Sequence, residues 1–221
     1  MDYVFHFGPV LDRWPLLLWG LYRTLELSIL SMLFGLVIGI VGAVAKVFGP
    51  RPVRAVASAY VEIIRNTPLL IQLFFIYFTL PFIGLRLSSN VAAIVALSIH
   101  LGAYVTEIIR AGIESVPSGQ IEAGRALALS NRQIIRFVVL KPAIRAVYPA
   151  LGAQFILQLL GSSIVSAIAA EELTAVANNL AMQTFRNFEI YIVVAVMYFV
   201  AVQAFSALFR WSGRKLFRWK V

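Results

Sequence analysis

The chain has 221 residues, 61% hydrophobic and 13% charged, with a formal net charge of +9 and a mean hydropathy of +0.87. Soluble domains average about 45–50% apolar and about 25% charged residues, so this composition excludes an ordinary water-soluble protein and points to an integral membrane protein. There is no cysteine and His6 and His100 are the only histidines, which excludes disulfide and thiolate chemistry and disfavours an all-protein zinc or haem site.

A helix needs roughly 20 mostly apolar residues to cross the hydrocarbon of a bilayer. Five charge-free windows qualify: 27–45, 66–85, 87–106, 146–170 and 190–209. In the first, Gly35 and Gly39 form a Gly-x-x-x-Gly, a face on which helices pack closely. Pro68 and Pro81 flank the second and predict a kink, because each removes a backbone donor. A very short connection around 84–90 makes the second and third spans an antiparallel pair. The third span places His100, Tyr104 and Glu107 on one face, at i, i+4 and i+7.

The polar segment 113–142 follows. Pro117, Ser118 and Gly119 break the chain, and 120–128 predicts a short helix. A second helix over 131–140 starts from Ser130, with Gln133 at capping-box spacing; it carries Arg132 and Arg136, offers Ile134, Ile135 and Val138 as an apolar face, and stops at Pro142. The fourth span sets Gln154, Gln158 and Ser162 four residues apart, with Ser163 adjacent. Beyond it, 171–185 predicts a short helix lying at the outer surface.

Five spans put the termini on opposite sides. With the N-terminus outside, Arg13, Arg23, Arg86 and Arg186 are the outer basic residues, and the other 15 of the 19 face the cytoplasm. That asymmetry follows the positive-inside rule and accounts for the net charge without nucleic-acid binding. Asp2 and Asp12 precede the first apolar run and no small-residue cleavage site is evident, so the first span is expected to be retained. The whole of 1–221 is expected to be one membrane domain.

The polar segment therefore lies in the cytoplasm. Two readings fit it: a loop resting on lipid headgroups, or a docking element that enters a groove on a partner. The polar faces of the third and fourth spans also have two. His100, Tyr104, Glu107, Gln154, Gln158, Ser162 and Ser163 can line a substrate path; equally, Glu107 can pair with Arg110 three residues on, and the others can bond neighbouring helices.

One resemblance bears on the choice. SVPSGQIEAGRALALSNRQIIRFVVLKPAIR, residues 115–145, resembles the cytoplasmic loop of permease subunits of ATP-binding-cassette importers, most like those of the polar amino-acid uptake family. That loop is marked by Glu-Ala-Ala, a later glycine and Ile-x-Leu-Pro. Glu122, Ala123 and Gly124 stand at the triplet here; Gly124 replaces its second alanine, Ala128 replaces the family glycine, and Pro142 comes one position late. VEIIRNTPLLIQLFFIYFTLP (61–81), AYVTEIIRAGIESVPSGQ (103–120) and EELTAVAN (171–178) also resemble the family. LLGSSI (159–164) stands where many relatives have Lys-Asp-Thr-Ser-Leu.

The resemblance implies an all-α integral membrane protein of five transmembrane helices with type I importer permease architecture, in the bacterial cytoplasmic (inner) membrane. It implies no catalysis by this chain. A coupling loop at about 113–145 would dock on a cytoplasmic ATPase dimer through Glu122, Ala123, Gly124, Arg125, Ala126, Leu127, Ala128, Leu129 and Ser130. The further partners implied are a second permease subunit, identical or related, an extracytoplasmic solute-binding protein and an amino-acid substrate. ATP and Mg2+ would be held by the ATPase, consistent with the lack of any Gly-x-x-x-x-Gly-Lys-Ser/Thr here. An ion-gradient-driven secondary transporter would show internal repeats and matching interrupted spans, which five spans do not display. A membrane-embedded hydrolase would need a nucleophile–base pair, for which only His100 and a serine are available.

Overall fold

The chain folds into helices throughout the described residues 3–217 of the computed structural model; Asp2, Arg218 and Lys220, which entered the charge reading, lie outside them. After a single turn at Gly8–Leu11, α1 (Trp14–Phe48) runs 35 residues, well beyond its apolar window. Its partner is α4 (Ser89–Glu114), and the glycines explain the closeness of the pair. A Cβ on Gly35 would lie 2.8 Å from Leu101, and one on Gly39 2.3 Å from Val105. Only a missing side chain permits this backbone approach, as the Gly-x-x-x-Gly spacing predicts. The buried Thr106 hydroxyl lies in this contact, reaching Gly39 O of α1 at 3.4 Å as well as Gly102 O of its own helix at 2.8 Å.

The second window is where the structure departs most from expectation. A kinked span was expected; instead α2 (Arg51–Arg65) and α3 (Leu69–Ile83) are separate helices meeting at 108°. Pro68 has no N–H and pushes Thr67 out of the helical region, so the ladder stops before it. The carbonyls released at the break find new donors. The Thr67 hydroxyl donates to Ile63 O at 2.9 Å, and the buried Gln72 amide donates to Ile64 O at 2.8 Å and Thr67 O at 3.0 Å. Helix α2 lies against α4, with the Tyr60 hydroxyl donating to Ile99 O at 2.6 Å. Helix α3 loosens into π turns at Phe75–Thr79 before ending near Pro81.

The helix–break–helix of the polar segment is present. Its first helix, α5 (Ser118–Ala126), starts directly after Pro117, and the predicted capping box forms with both Ser130–Gln133 bonds. The second helix does not stop at Pro142. It continues as α6 (Asn131–Ile168), because π turns at Ile134–Val139 open the backbone just ahead of the proline and absorb its missing donor. At its far end α6 tightens into 3-10 turns over Ser162–Ile168.

Helix α7 (Leu173–Thr184) occupies the predicted 171–185 segment, with one face exposed and the other turned inward. Leu173, Ala177, Leu180 and Ala181 form a buried stripe packed on Leu17 of α1 and on Ile190, Val194 and Met197 of α8 (Asn187–Leu216). Apolar residues at three- and four-residue spacing made an inward face available, and α1 and α8 cover it. Among the described residues, helices α1, α4, α6 and α8 are each long and apolar enough to cross a membrane, and the bent α2–α3 pair makes a fifth candidate when its two helices are taken together as one broken span.

Candidate functional site

The break before Pro68 does more than turn the chain. It exposes Arg65, Asn66 and Thr67 toward the polar faces of α4 and α6, and a cavity of about 530 Å³ lies between them. His100 and Tyr104 from α4 and Gln154 and Gln158 from α6 line it. Four of the seven pathway candidates are thus brought together.

The other three fall elsewhere. Glu107 is one helical turn beyond the cavity, held by Lys46 at 2.6 Å and Arg110 at 2.8 Å, which is the ion-pair alternative for that residue. Ser162 and Ser163 sit where α6 tightens, and their hydroxyls donate to Leu159 O at 2.7 Å and Leu160 O at 2.8 Å. Ser162 is fully buried, and neither it nor Ser163, which is adjacent to the stripe of Gln154 and Gln158, lines the cavity.

The lining residues are not equally available to a ligand. Gln158 is buried, and its amide donates to Ser31 Oγ and Leu97 O, each at 3.1 Å, so it ties α6 to α1 and α4. His100 is oriented from behind: its Nδ1 lies 3.1 Å from Gln72 Oε1, leaving Nε2 for the cavity. Tyr104 packs against His100 with ring centroids 5.0 Å apart and planes tilted by 44°, and the Arg65 guanidinium lies 5.3 Å over its ring. Among the described residues that line the cavity Arg65 is the one formally charged side chain, while Glu62 and Glu107 line a neighbouring cavity that shares Arg65, Asn66 and Tyr104 with it.

Arg65, Asn66 and Thr67 were missed as site residues by sequence reasoning, as was Gln72 behind His100. The signal was present as a polar triplet immediately before a proline inside an apolar stretch, where a broken helix turns its free ends to a cavity.

The polar segment forms a second feature. Its two helices pack on each other, with Ile134 and Val138 against Gly124 and with Val116, Ile121 and Leu129 completing a small core. Ile134 and Val138 of the second helix's apolar face are therefore used inside the hairpin. Leu127, 76% exposed, is left at the tip. The turn closes as a Schellman motif, Leu129 N–H donating to Gly124 O at 3.1 Å and Ala128 N–H to Arg125 O at 2.9 Å. This geometry needs a left-handed residue, and Ala128 supplies it at φ 54°. A Cβ in that region costs roughly 1–2 kcal/mol. Ala128→Gly is expected to stabilise the chain by about 0.5–1 kcal/mol after allowing for glycine's greater unfolded-state entropy, read as a raised midpoint of thermal unfolding in detergent.

Comparison with known proteins agrees with this geometry. The model of the family of binding-protein-dependent transport system inner membrane components matches residues 35–218. The glutamine transport system permease protein GlnP of Escherichia coli (strain K12) is 37% identical, over 96% of this chain and 98% of its own length. The L-cystine transport system permease protein TcyB of Bacillus subtilis (strain 168) is 37% identical over 93% of this chain and 88% of its own. Among solved structures, a chain of an amino acid ABC transporter with histidines superposes with a TM-score of 0.91 at 40% identity, covering 96% of this chain and all of that one. The inward-facing methionine transporter MetNI gives 0.74 at 25% identity, covering 94% of this chain and 97% of that chain. A 184-residue family match, near-complete coverage by relatives and the same helical fold leave no place for the hydrolase or gradient-driven alternatives. This chain belongs to the inner-membrane components of binding-protein-dependent transport systems, as a multi-pass ABC importer permease of the polar amino-acid uptake type.

Proposed function

We propose that this chain forms half of the translocation pathway for an uncharged polar amino acid, paired with a second permease subunit, identical or related. The observation that carries the substrate class is the cavity at the α2–α3 break. Arg65 and the Tyr104 hydroxyl can receive an α-carboxylate, and the Gln154 amide can bond a polar side chain. A cationic side chain would meet no counter-charge among the lining residues. The relatives named for glutamine and cystine transport carry substrates of this uncharged polar type.

In this reading the N-terminus is outside and the hairpin 118–142 is cytoplasmic. A solute-binding protein delivers substrate from outside, and a separate ATPase dimer holds ATP and Mg2+. Residues 122–130 dock in that ATPase, led by Leu127, whose exposed apolar side chain sits on a hairpin that is internally packed and rigid enough to transmit a movement.

The test is ATPase activity of the full chain reconstituted in proteoliposomes with its ATPase and solute-binding subunits, against a panel of amino acids. Stimulation by glutamine or a similar neutral amino acid, and none by arginine, is expected. Arg65→Gln should raise the half-saturating concentration at least tenfold, about 1.4 kcal/mol of binding. Leu127→Asp should abolish the stimulation while the chain still inserts. Stimulation by arginine alone would overturn the substrate class, and full stimulation in Leu127→Asp would overturn the docking role.

A further inference from the structure

The hydrogen bonds at the α2–α3 break fix which way the Gln72 amide points. Its nitrogen lies 2.8 Å from Ile64 O and 3.0 Å from Thr67 O, two carbonyls that can only accept. It also lies 2.9 Å from the Thr67 hydroxyl, whose own hydrogen goes to Ile63 O. Reversing the amide would set its oxygen against three acceptors. Gln72 Oε1 therefore faces His100, and the ring atom 3.1 Å away, Nδ1, has to donate to it. Nδ1 carries the ring proton.

A neutral imidazole has one donor and one acceptor nitrogen, so Nε2 is bare. A second proton would put a cation into a lining whose one formal charge is already the Arg65 guanidinium. Glu62 and Glu107 line the neighbouring cavity, and Glu107 is already paired with Lys46 and Arg110. Nε2 has no hydrogen-bond partner among the described residues, where the buried side-chain N and O atoms left unpaired are Arg23 Nε and Ser28 Oγ alone. It is thus open to the cavity that His100 lines.

The other polar lining groups differ in kind. Arg65 can only donate, and the amides of Asn66 and Gln154 can turn either end to a ligand. Gln158 is locked on Ser31 and Leu97, but it is only 3% exposed. His100 is the accessible acceptor whose polarity the fold has already set.

We infer that His100 Nε2 receives the α-ammonium of the transported amino acid and so makes an α-amine a requirement of the site. This rests on the amino-acid pathway proposed above. Arg65 and His100 both pack on the Tyr104 ring, and the carboxylate and ammonium of an amino acid share one carbon, so one molecule can engage both. A ligand without the amine leaves Nε2 unpaired away from bulk water. Gln72 is a positioning residue, because it decides which ring nitrogen is bare.

The first test is NMR of the ring nitrogens of the full chain in lipid nanodiscs, labelled at histidine, with His6→Gln so that one ring is observed. A protonated Nδ1 and a bare Nε2 are expected at neutral pH, with glutamine shifting the Nε2 signal. A protonated Nε2 overturns the inference whatever the substrate is. The second test is binding of glutamine and of its deaminated counterpart, 4-carbamoylbutanoate, to the permease–ATPase complex without the solute-binding protein. His100→Phe should weaken glutamine at least tenfold and leave the deaminated ligand within about twofold, while Arg65→Gln weakens both. Equal weakening of the two ligands by His100→Phe would show a structural role only and overturn the inference. Failure of the neutral-substrate reading shows separately, as binding of arginine in place of glutamine; arginine and its deaminated counterpart then decide the role of His100 in the same way.

Discussion

Glu172→Ala is expected to lower the stability of the chain by about 4 kcal/mol, measured by unfolding in detergent micelles. Glu172 is fully buried and sits at the N-cap of α7, where it accepts from Thr174 N–H at 2.8 Å and Ala175 N–H at 2.7 Å. The Tyr198 hydroxyl of α8 donates to the same carboxylate at 2.8 Å, and Leu173 N–H donates to Thr24 Oγ1 of α1 at 3.0 Å. One helix terminus thus joins three elements. Removing the carboxylate loses a cap worth about 0.5–2 kcal/mol and strands buried donors at about 1–3 kcal/mol each.

Burial pushes the Glu172 carboxyl above the usual carboxylate range, against the pull of its amide and hydroxyl donors. A group raised on folding contributes stability that is complete below its unfolded value, about 4.3 for glutamate, and is lost as pH rises through the folded value. Glu172→Gln keeps one acceptor and does not titrate. The advantage of the unmodified chain over Glu172→Gln is therefore expected to shrink between pH 4 and pH 7. An advantage that grows over that interval would contradict the assignment.

Gln72→Leu is the second large change, expected to cost about 3 kcal/mol. The substitution preserves volume and apolar packing, so its effect isolates hydrogen bonds. It removes the donor to Ile64 O and Thr67 O and the partner of His100 Nδ1. Since the same amide fixes the angle between α2 and α3, Arg65 to Thr67 should lose their orientation. Reconstituted ATPase is then expected to lose its response to the amino acid while basal hydrolysis persists. A chain with unchanged stability and unchanged response would show that the break holds by Pro68 alone.

Several features follow from local sequence. Long apolar windows must be helices in lipid, because every backbone polar group has to be satisfied within its own segment. The capping box at Ser130 and the break at Pro117 depend on residues three positions apart or fewer, and both form as read. Gly35 and Gly39 announced a close helix contact, and α4 fills it.

What the sequence left open depends on residues far apart in the chain. A helical stripe gives the direction of a side chain around its own axis, but not which neighbour has already taken its hydrogen bonds. Gln154 and Gln158 look alike in sequence, yet Ser31, 127 positions away, claims Gln158 and leaves Gln154 to the cavity. Pro68 signals a bend, but whether it becomes a kink or a 108° break is decided by Gln72 and Thr67 donating to the released carbonyls. Pro142 reads as a stop until π turns absorb it, and the stripe of α7 does not by itself say that α1 and α8 are the helices that cover it. The sequence by itself determined how much chain lies in the membrane and where charge gathers, since transfer from water to lipid is settled residue by residue. Only the tertiary structure decided which polar groups remain free, because hydrogen bonding is exclusive and its partners come from distant helices.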